Sequence, residues 1–325
     1  MKSFPIILLF VVALAGCGMP SFVVTPISTV SGLQESTVRQ GKGYFAKKVA
    51  VIEVEGLLAN RRESNLLEPG ENPLALFAEQ LDKAEADPRV QAVVLRINSP
   101  GGTVTASDIM YDRVMQFRQR THKPVIASTQ DIAASGGYYV ACAADRIVSQ
   151  PTGIVGSVGV IFLSLNFEGT LSKIGVRSDA IKSGTHKDMG SPLRTLTAEE
   201  RTMFQDMIDQ YYTRFRGVVQ ERRKITDPAK MAVIGDGRVM TAQQAFGLGM
   251  VNQLGSLDDA IVLAQELAGD SLHKTRVVMY KRPYGYAGSV YSASRRGPNQ
   301  AQTLRLELPG AQQMMPTGFY YLWQP

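Results

Sequence analysis

Short apolar runs alternate along this chain with segments whose apolar residues recur at helical spacing, and that alternation narrows the possible folds more than any other feature. Lys48-Val-Ala-Val-Ile-Glu-Val54 reads as a buried strand. Leu74, Phe77, Ala78, Leu81 and Ala84 then share one helical face, which stops before Asp87-Pro88. Ala92-Val-Val-Leu-Arg-Ile97 is a second strand, broken by Asn98-Ser-Pro-Gly-Gly102, and Ala106, Ile109, Met110, Val114 and Phe117 mark the apolar side of the next helix. Pro124-Val-Ile-Ala-Ser128 is a third strand and Tyr138 to Ala144 a third helix. Strands interleaved with helices predict an α/β fold with a mostly parallel sheet covered by helices. In such sheets sites gather at the carboxyl ends of strands. The turns at Asn98 to Gly102 and around Ser135 both leave such ends, so they are expected to face one cleft.

Ala133-Ala-Ser-Gly-Gly137 sets one serine among residues too small to obstruct an approach. At a strand-to-helix turn the first helical amides are unpaired and the helix dipole is positive. The amide of Gly136 is therefore suited to hold an oxyanion formed when the Ser135 hydroxyl attacks a carbonyl. The plain alternative is that the small residues only let two elements pack closely.

Further on, Gly153, Gly156 and Gly159 are spaced three apart, unlike the dinucleotide fingerprint, and suit close backbone approach to the sheet better than a phosphate cradle. A helix around Phe167 to Ile174 and a strand from Val176 to Ile181 precede a polar loop, Lys182 to Pro192. Thr197 and Glu200 make a capping box opening a long amphipathic helix through Val218. Short helices over Ala242 to Leu248 and Leu257 to Ala268 follow. Past about Tyr280 the composition turns to Gly, Ser, Pro and Gln, yet the chain closes on Phe319-Tyr-Tyr-Leu-Trp323. An apolar segment there is expected to dock on its own protein, a neighbouring subunit or lipid, near the groove.

The first sixteen residues form an export signal: Lys2 is followed by the apolar run Phe4 to Leu14, too short for the roughly 20 apolar residues of a membrane span. Leu14-Ala-Gly-Cys17 resembles a bacterial lipobox, so residues 1–16 are read as a lipoprotein signal peptide, Cys17 as the lipidated N-terminus and residues 17–46 as a tether. Cleavage removes one lysine and no acid, taking the formal charge from +6 to +5. The basic clusters Arg222-Arg223-Lys224 and Arg295-Arg296 lack interleaved aromatics, so no nucleic-acid partner is expected. Cys142, inside an apolar helix, is left without a disulfide partner and reads as core.

A serine nucleophile needs a base, and the chain has three histidines. His122 and His273 fall at surface positions, whereas His186 and Lys187 share the 182–192 loop. A lysine serves when its ammonium is desolvated. Moving its pKa from about 10.4 to about 7.5 costs roughly 4 kcal/mol, which a water-poor cleft between subunits can sustain. The side chains alone leave His186 and the lysine both open.

Asn98-Ser-Pro-Gly-Gly102, Ala134-Ser-Gly-Gly-Tyr138, Gly156-Ser-Val-Gly159, Lys182-Ser-Gly-Thr-His-Lys-Asp188 and Asp236-Gly-Arg-Val239 occur in the order found in the bacterial signal peptide peptidase A, or protease IV, family. The resemblance spans roughly residues 48 to 268. It implies a fold like that of the Clp protease subunit and the crotonases, with a protease domain over residues 47–270 and a partly irregular extension over 271–325. It also implies a serine protease with a Ser/Lys dyad. Ser135 matches the nucleophile, Lys187 the general base with Lys182 as rival, Ser157 the hydroxyl orienting the lysine, and the Gly102 and Gly136 amides the oxyanion hole. One copy of each motif matches the short form, whose dyad is completed between subunits of a homo-oligomeric ring.

The expected activity is therefore a membrane-anchored endopeptidase of the bacterial envelope, on the periplasmic face where there are two membranes, degrading remnant signal peptides. It needs no metal or other cofactor, and the family implies a groove for apolar segments with small residues before the cut. The rival readings are a crotonase-type acyl-CoA enzyme, which export disfavours, and a non-catalytic peptide-binding lipoprotein.

Overall fold

The computed structural model describes residues 32–42, 46–61, 71–270, 274–282 and 317–323. The expected signal peptide, Cys17, His273 and Arg295-Arg296 lie outside the described residues.

The strands are β1 (Gln34–Arg39), β2 (Lys48–Leu58), β3 (Val90–Thr103), β4 (Val125–Ala134), β5 (Arg146–Ser149), β6 (Ile154–Gly156), β7 (Ile161–Leu163), β8 (Val239–Thr241), β9 (Gln253–Leu254), β10 (Arg276–Lys281) and β11 (Gly318–Leu322). The described helices are α1 (Pro73–Ala86), α2 (Val104–Thr121), α3 (Gly136–Ala141), α4 (Glu168–Lys173), α5 (Ala198–Arg223), α6 (Pro228–Ile234), α7 (Ala242–Gly247) and α8 (Leu257–Leu267). None is long and apolar enough to cross a membrane.

The main sheet runs β1-β10-β2-β3-β4-β5-β9, parallel throughout except for β1 against β10. Helices cover both faces, which is why its strands read as near-continuous apolar runs. Ala50, Ile52, Val93, Leu95 and Ile97 pack towards Leu74, Phe77, Leu81, Val114 and Phe117 of α1 and α2. The alternate residues Val49, Val51, Ala92, Val94 and Ile126 pack on Leu257, Ile261 and Ala264 of α8. The helix ends follow their residues. Pro73 opens α1 while the Asn72 side chain accepts from the Leu74 and Ala75 amides, and α5 carries the Thr197/Glu200 capping box.

Beyond the main sheet β3 and β4 change neighbours. β4 pairs through Ile132–Ala134 with β6, which is antiparallel to β8, while β3 pairs through Gly101–Thr103 with β11, which is antiparallel to β7. The strand ends that carry the motifs are thus held on both sides.

Three expectations need correction. Asn98 to Gly102 is not a turn, because β3 stays extended to Thr103 and α2 starts at the next residue. A Cβ on Gly102 would lie 1.9 Å from the Leu58 carbonyl oxygen, so its glycine allows two strands to run in contact rather than the chain to reverse. Residues 176 to 181 form no strand, and Ile181 is fully exposed, since no sheet edge lies alongside to pair with them. Order also begins before residue 48, inside the expected tether: β1 adds to β10, and Glu35 meets the buried ammonium of Lys48 at 2.6 Å, with Asp87 at 2.7 Å on its other side. A buried lysine needs such partners, and one comes from the segment read as a linker. The expected extension likewise holds β10 and β11.

Candidate active site

β4 ends at Ala134 and α3 begins at Gly136, so Ser135 alone makes the turn between them, at φ 51° and ψ −115°. Positive φ in a residue with a Cβ costs roughly 1–3 kcal/mol and persists only where the surroundings impose it. Two bonds impose it here. The Ser135 amide donates to the Gly156 carbonyl at 2.7 Å, and its own carbonyl accepts from the Tyr139 amide at 2.8 Å. The side chain does not cap the helix, and its buried Oγ has no hydrogen-bond partner. The small neighbours serve packing as well: a Cβ on Gly137 would lie 2.6 Å from the Ser99 carbonyl oxygen.

Gly101 and Gly136 approach one another next to this turn. A Cβ on Gly101 would fall 2.7 Å from the Gly136 nitrogen and 2.0 Å from the carbonyl oxygen of Tyr321 in β11. A Cβ on Gly136 would fall 3.1 Å from the same oxygen. The Trp323 amide donates to the Pro100 carbonyl at 2.9 Å, and the antiparallel register pairs Tyr321 with Gly102 two residues on. Hydrogen-bonded pairs alternate in such a ladder, so the Gly102 amide also faces the Tyr321 carbonyl. A peptide carbonyl therefore faces the Gly102 amide and lies close to Gly101 and Gly136. The closing apolar segment docks on its own protein, in the groove between β3 and β7.

Ser157, one residue past β6, is nearly buried at φ 53°, its amide donating to the Arg238 carbonyl at 2.7 Å. It lines a cleft of about 370 Å³ with Ile208, Tyr212, Asp236, Gly237 and Leu322. Gly153 and Gly156 have the expected close backbone neighbours, the Gln130 and Arg238 carbonyl oxygens lying 2.4 and 2.9 Å from a Cβ placed on each.

The candidate bases lie apart from Ser135. Lys187 stands exposed in the turns after residue 182, its amide donating to the Gly184 carbonyl at 3.1 Å, and its side chain does not reach the serine hydroxyl. Lys182 Nζ is 2.6 Å from Asp188, and His186 Nε2 is 3.7 Å from Glu199. His122 caps α2 in left-handed conformation, exposed as expected.

The sequence reading missed Arg194, which clamps this loop. Its Nε and Nη2 donate to Asp188 at 2.8 Å each, and its Nη1 donates to the buried Glu200 at 2.8 Å. These bonds hold the Asp188 carboxyl well below the ordinary range and Glu200 down at about 2, while the two carboxylates raise the guanidinium. Arg194-x-x-Thr197-x-x-Glu200 was the available signal, since a capping-box glutamate has a second oxygen for a nearby arginine. Among the described residues no cluster of His, Cys, Asp and Glu is arranged to hold a metal ion.

A model of Peptidase family S49 matches residues 117–270, and one of Clp protease matches residues 48–152. The chain is 33% identical over 264 residues to the Enterococcus faecium protein named "Putative signal peptide peptidase SppA", covering 79% of this chain and 73% of that protein. It is 38% identical over 223 residues to a Synechocystis protein named as a protease, covering 69% and 75%. Protease 4 of Salmonella typhi is 37% identical over 220 residues, 68% of this chain but 34% of that longer protein. These matches set aside the acyl-CoA and non-catalytic readings.

Proposed function

Because the chain belongs to peptidase family S49 and is a serine-type endopeptidase, we propose that Ser135 is its nucleophile and Lys187 its general base. Ser135 Oγ attacks the substrate carbonyl carbon while the neutral Lys187 amine takes the hydroxyl proton. The Gly102 and Gly136 amides receive the developing oxyanion, where fixed donors are worth several kcal/mol. As the tetrahedral species collapses, the lysine ammonium returns the proton to the leaving amine. Water then hydrolyses the Ser135 ester with the same lysine as base. Ser157 orients the amine. The observation that supports this reading is a peptide carbonyl, that of Tyr321, facing the Gly102 amide and close to Gly136, in the neighbourhood of a buried Ser135 hydroxyl with no partner.

The base comes from an adjoining copy. Within one chain Lys187 is exposed and Ser135 Oγ unpartnered. The segment that leads to Lys187 also presents Ile161, Leu165, Phe167, Ile174, Val176 and Ile181 to solvent. Apolar side chains gathered in this way mark an association surface. A second copy packed there dries the amine, which favours its neutral form. Lys182 is the weaker candidate because Asp188 already engages its ammonium.

The substrates are apolar peptides, above all cleaved signal peptides in or near the membrane, with acyl chains on Cys17 holding the enzyme at the envelope surface. Purified wild type, Ser135→Ala and Lys187→Ala incubated with an apolar signal-type peptide test the chemistry. Loss of cleavage in both variants supports the dyad, and undiminished cleavage by Lys187→Ala moves the base to Lys182 or His186. Palmitate labelling that survives Cys17→Ala would refute the anchor.

A further inference from the structure

We infer that Ser99 is a positioning residue for the oxyanion donors: its hydroxyl takes the Gly101 amide and thereby leaves the Gly102 amide to face the groove. The inference rests on the serine-protease reading above and names a second, buried serine that the reading does not use.

The register of β2 against β3 breaks where the site begins. Glu55 pairs with Asn98 and Leu57 with Gly101, so Ser99 and Pro100 together stand opposite the single residue Gly56. An extra residue in a strand changes the side to which every later amide points. Gly56 takes φ +66° at this place, and Pro100 has no N–H to offer its carbonyl. The Ser99 hydroxyl donates there instead, at 2.7 Å. The same oxygen accepts from the Gly101 amide at 3.1 Å. A hydroxyl has one proton to give and lone pairs to receive with, and main-chain groups fill both uses here. Ser99 is fully buried, where an unmade hydrogen bond costs most.

Three consecutive positions therefore leave one donor for the groove. Pro100 has none, the Gly101 amide is taken by Ser99 Oγ, and the Gly102 amide faces the Tyr321 carbonyl. Two glycines in succession have wide conformational freedom, and this one oxygen fixes them. Ser99 also touches the helix that follows the nucleophile. A Cβ on Gly137 would lie 2.6 Å from the Ser99 carbonyl oxygen and 3.3 Å from its Cβ. A rotation of the Ser99 to Gly102 segment thus presses on α3 and shifts the Gly102 amide relative to that of Gly136. With the hydroxyl removed, the buried Gly101 amide loses its acceptor and the bulge loses its lock.

The test compares the full chain carrying Ser99→Ala with wild type on an apolar signal-type peptide. kcat is expected to fall by about a hundredfold, as when one oxyanion donor is lost, with KM changed by less than about twofold. Ser149→Ala is the control, removing a buried hydroxyl outside the site that accepts from Thr129 at 2.8 Å, and it should lower Tm while leaving kcat alone. A merely structural Ser99 would behave like that control. A peptide aldehyde gives the second readout, since its carbonyl carbon bonds to Ser135 Oγ and its oxygen then needs the same donors. It should bind Ser99→Ala about a hundredfold more weakly, while the matching peptide amide binds as before. Should the alanine chain fail to fold, Ser99→Cys keeps a weaker donor and acceptor at the same place and should lose part of both kcat and aldehyde affinity. Wild-type kcat and aldehyde affinity in either variant, or a loss confined to KM, overturns the assignment and leaves the protease reading intact. Cleavage by Ser135→Ala at the wild-type rate would sink that reading instead.

Discussion

The Ser135 amide donates to the Gly156 carbonyl at 2.7 Å, tying the turn that carries the hydroxyl to the residue just before Ser157. Gly156 holds φ +117°, and a Cβ there would lie 2.9 Å from the Arg238 carbonyl oxygen. Gly156→Ala is therefore expected to cost about 1–3 kcal/mol of stability. It should lower kcat more than it raises KM, because the turn holds the attacking atom rather than the substrate. Thermal denaturation and peptide kinetics on the one variant read both effects, and an unchanged kcat would show that the bond does not position the serine.

Arg194 is expected to act on catalysis through the loop of Lys187. Arg194→Met frees Asp188 and Glu200 and should reduce kcat by about tenfold with little change in KM, as expected of a positioning group. Arg194→Lys, keeping the charge but not the fork, should restore only part of the loss. A change confined to KM would contradict this role.

The same clamp fixes a pH window. The Asp188 and Glu200 carboxyls are both lowered in the folded chain, Glu200 to about 2, chiefly by bonds from Arg194. Groups lowered in this way contribute fully above their unfolded values near about 4 and lose the contribution as pH falls through the folded value. Amide NMR shifts of residues 184–191 should thus hold from pH 7 to about pH 4 and move as the pH falls towards about 2. Movement near neutrality would show that the clamp does not set the loop's order.

The parallel sheet and its helices were legible because β2 to β4 and α1, α2 and α8 each bury their own apolar pattern. Ser135 and its glycines were legible because small residues at a strand end leave a chemical trace. β1 was not, since its strand depends on Glu35 reaching a lysine thirteen positions on and on pairing with β10, neither of which is a local property. The glycines of Asn98 to Gly102 misled for a related reason. Glycine marks both a reversal and a close contact, and only the Leu58 carbonyl beside Gly102 distinguishes them. The packing of Tyr139, Phe215 and Tyr321 was hidden because the three rings come from distant segments.

β11 lies along the end of β3, its Tyr321 paired with Gly102, and on the proposed mechanism it takes the place of a substrate strand. Deleting residues 310 to 325 is expected to raise turnover of an added peptide, chiefly through a lower apparent KM. Unchanged kinetics would contradict a tail docked near the groove of the working enzyme.

Cys142 is fully buried and free, and burial pushes its thiol up to about 11. Iodoacetamide at pH 8 should leave activity intact, and Cys142→Ala should cleave peptide at the wild-type rate. Inactivation by the reagent that the alanine variant escapes would make the thiol functional.

The central claim is that Ser135 of one copy works with Lys187 of another, and mixing tests it most directly. Ser135→Ala and Lys187→Ala chains, each inactive alone, are unfolded, combined in equal amounts and refolded together. Random co-assembly should give about a quarter of the wild-type activity, since only sites pairing an intact serine with a neighbour's intact lysine can work. Mixed assemblies that form and stay inactive, beside a wild type that refolds to full activity, would contradict a site shared between copies.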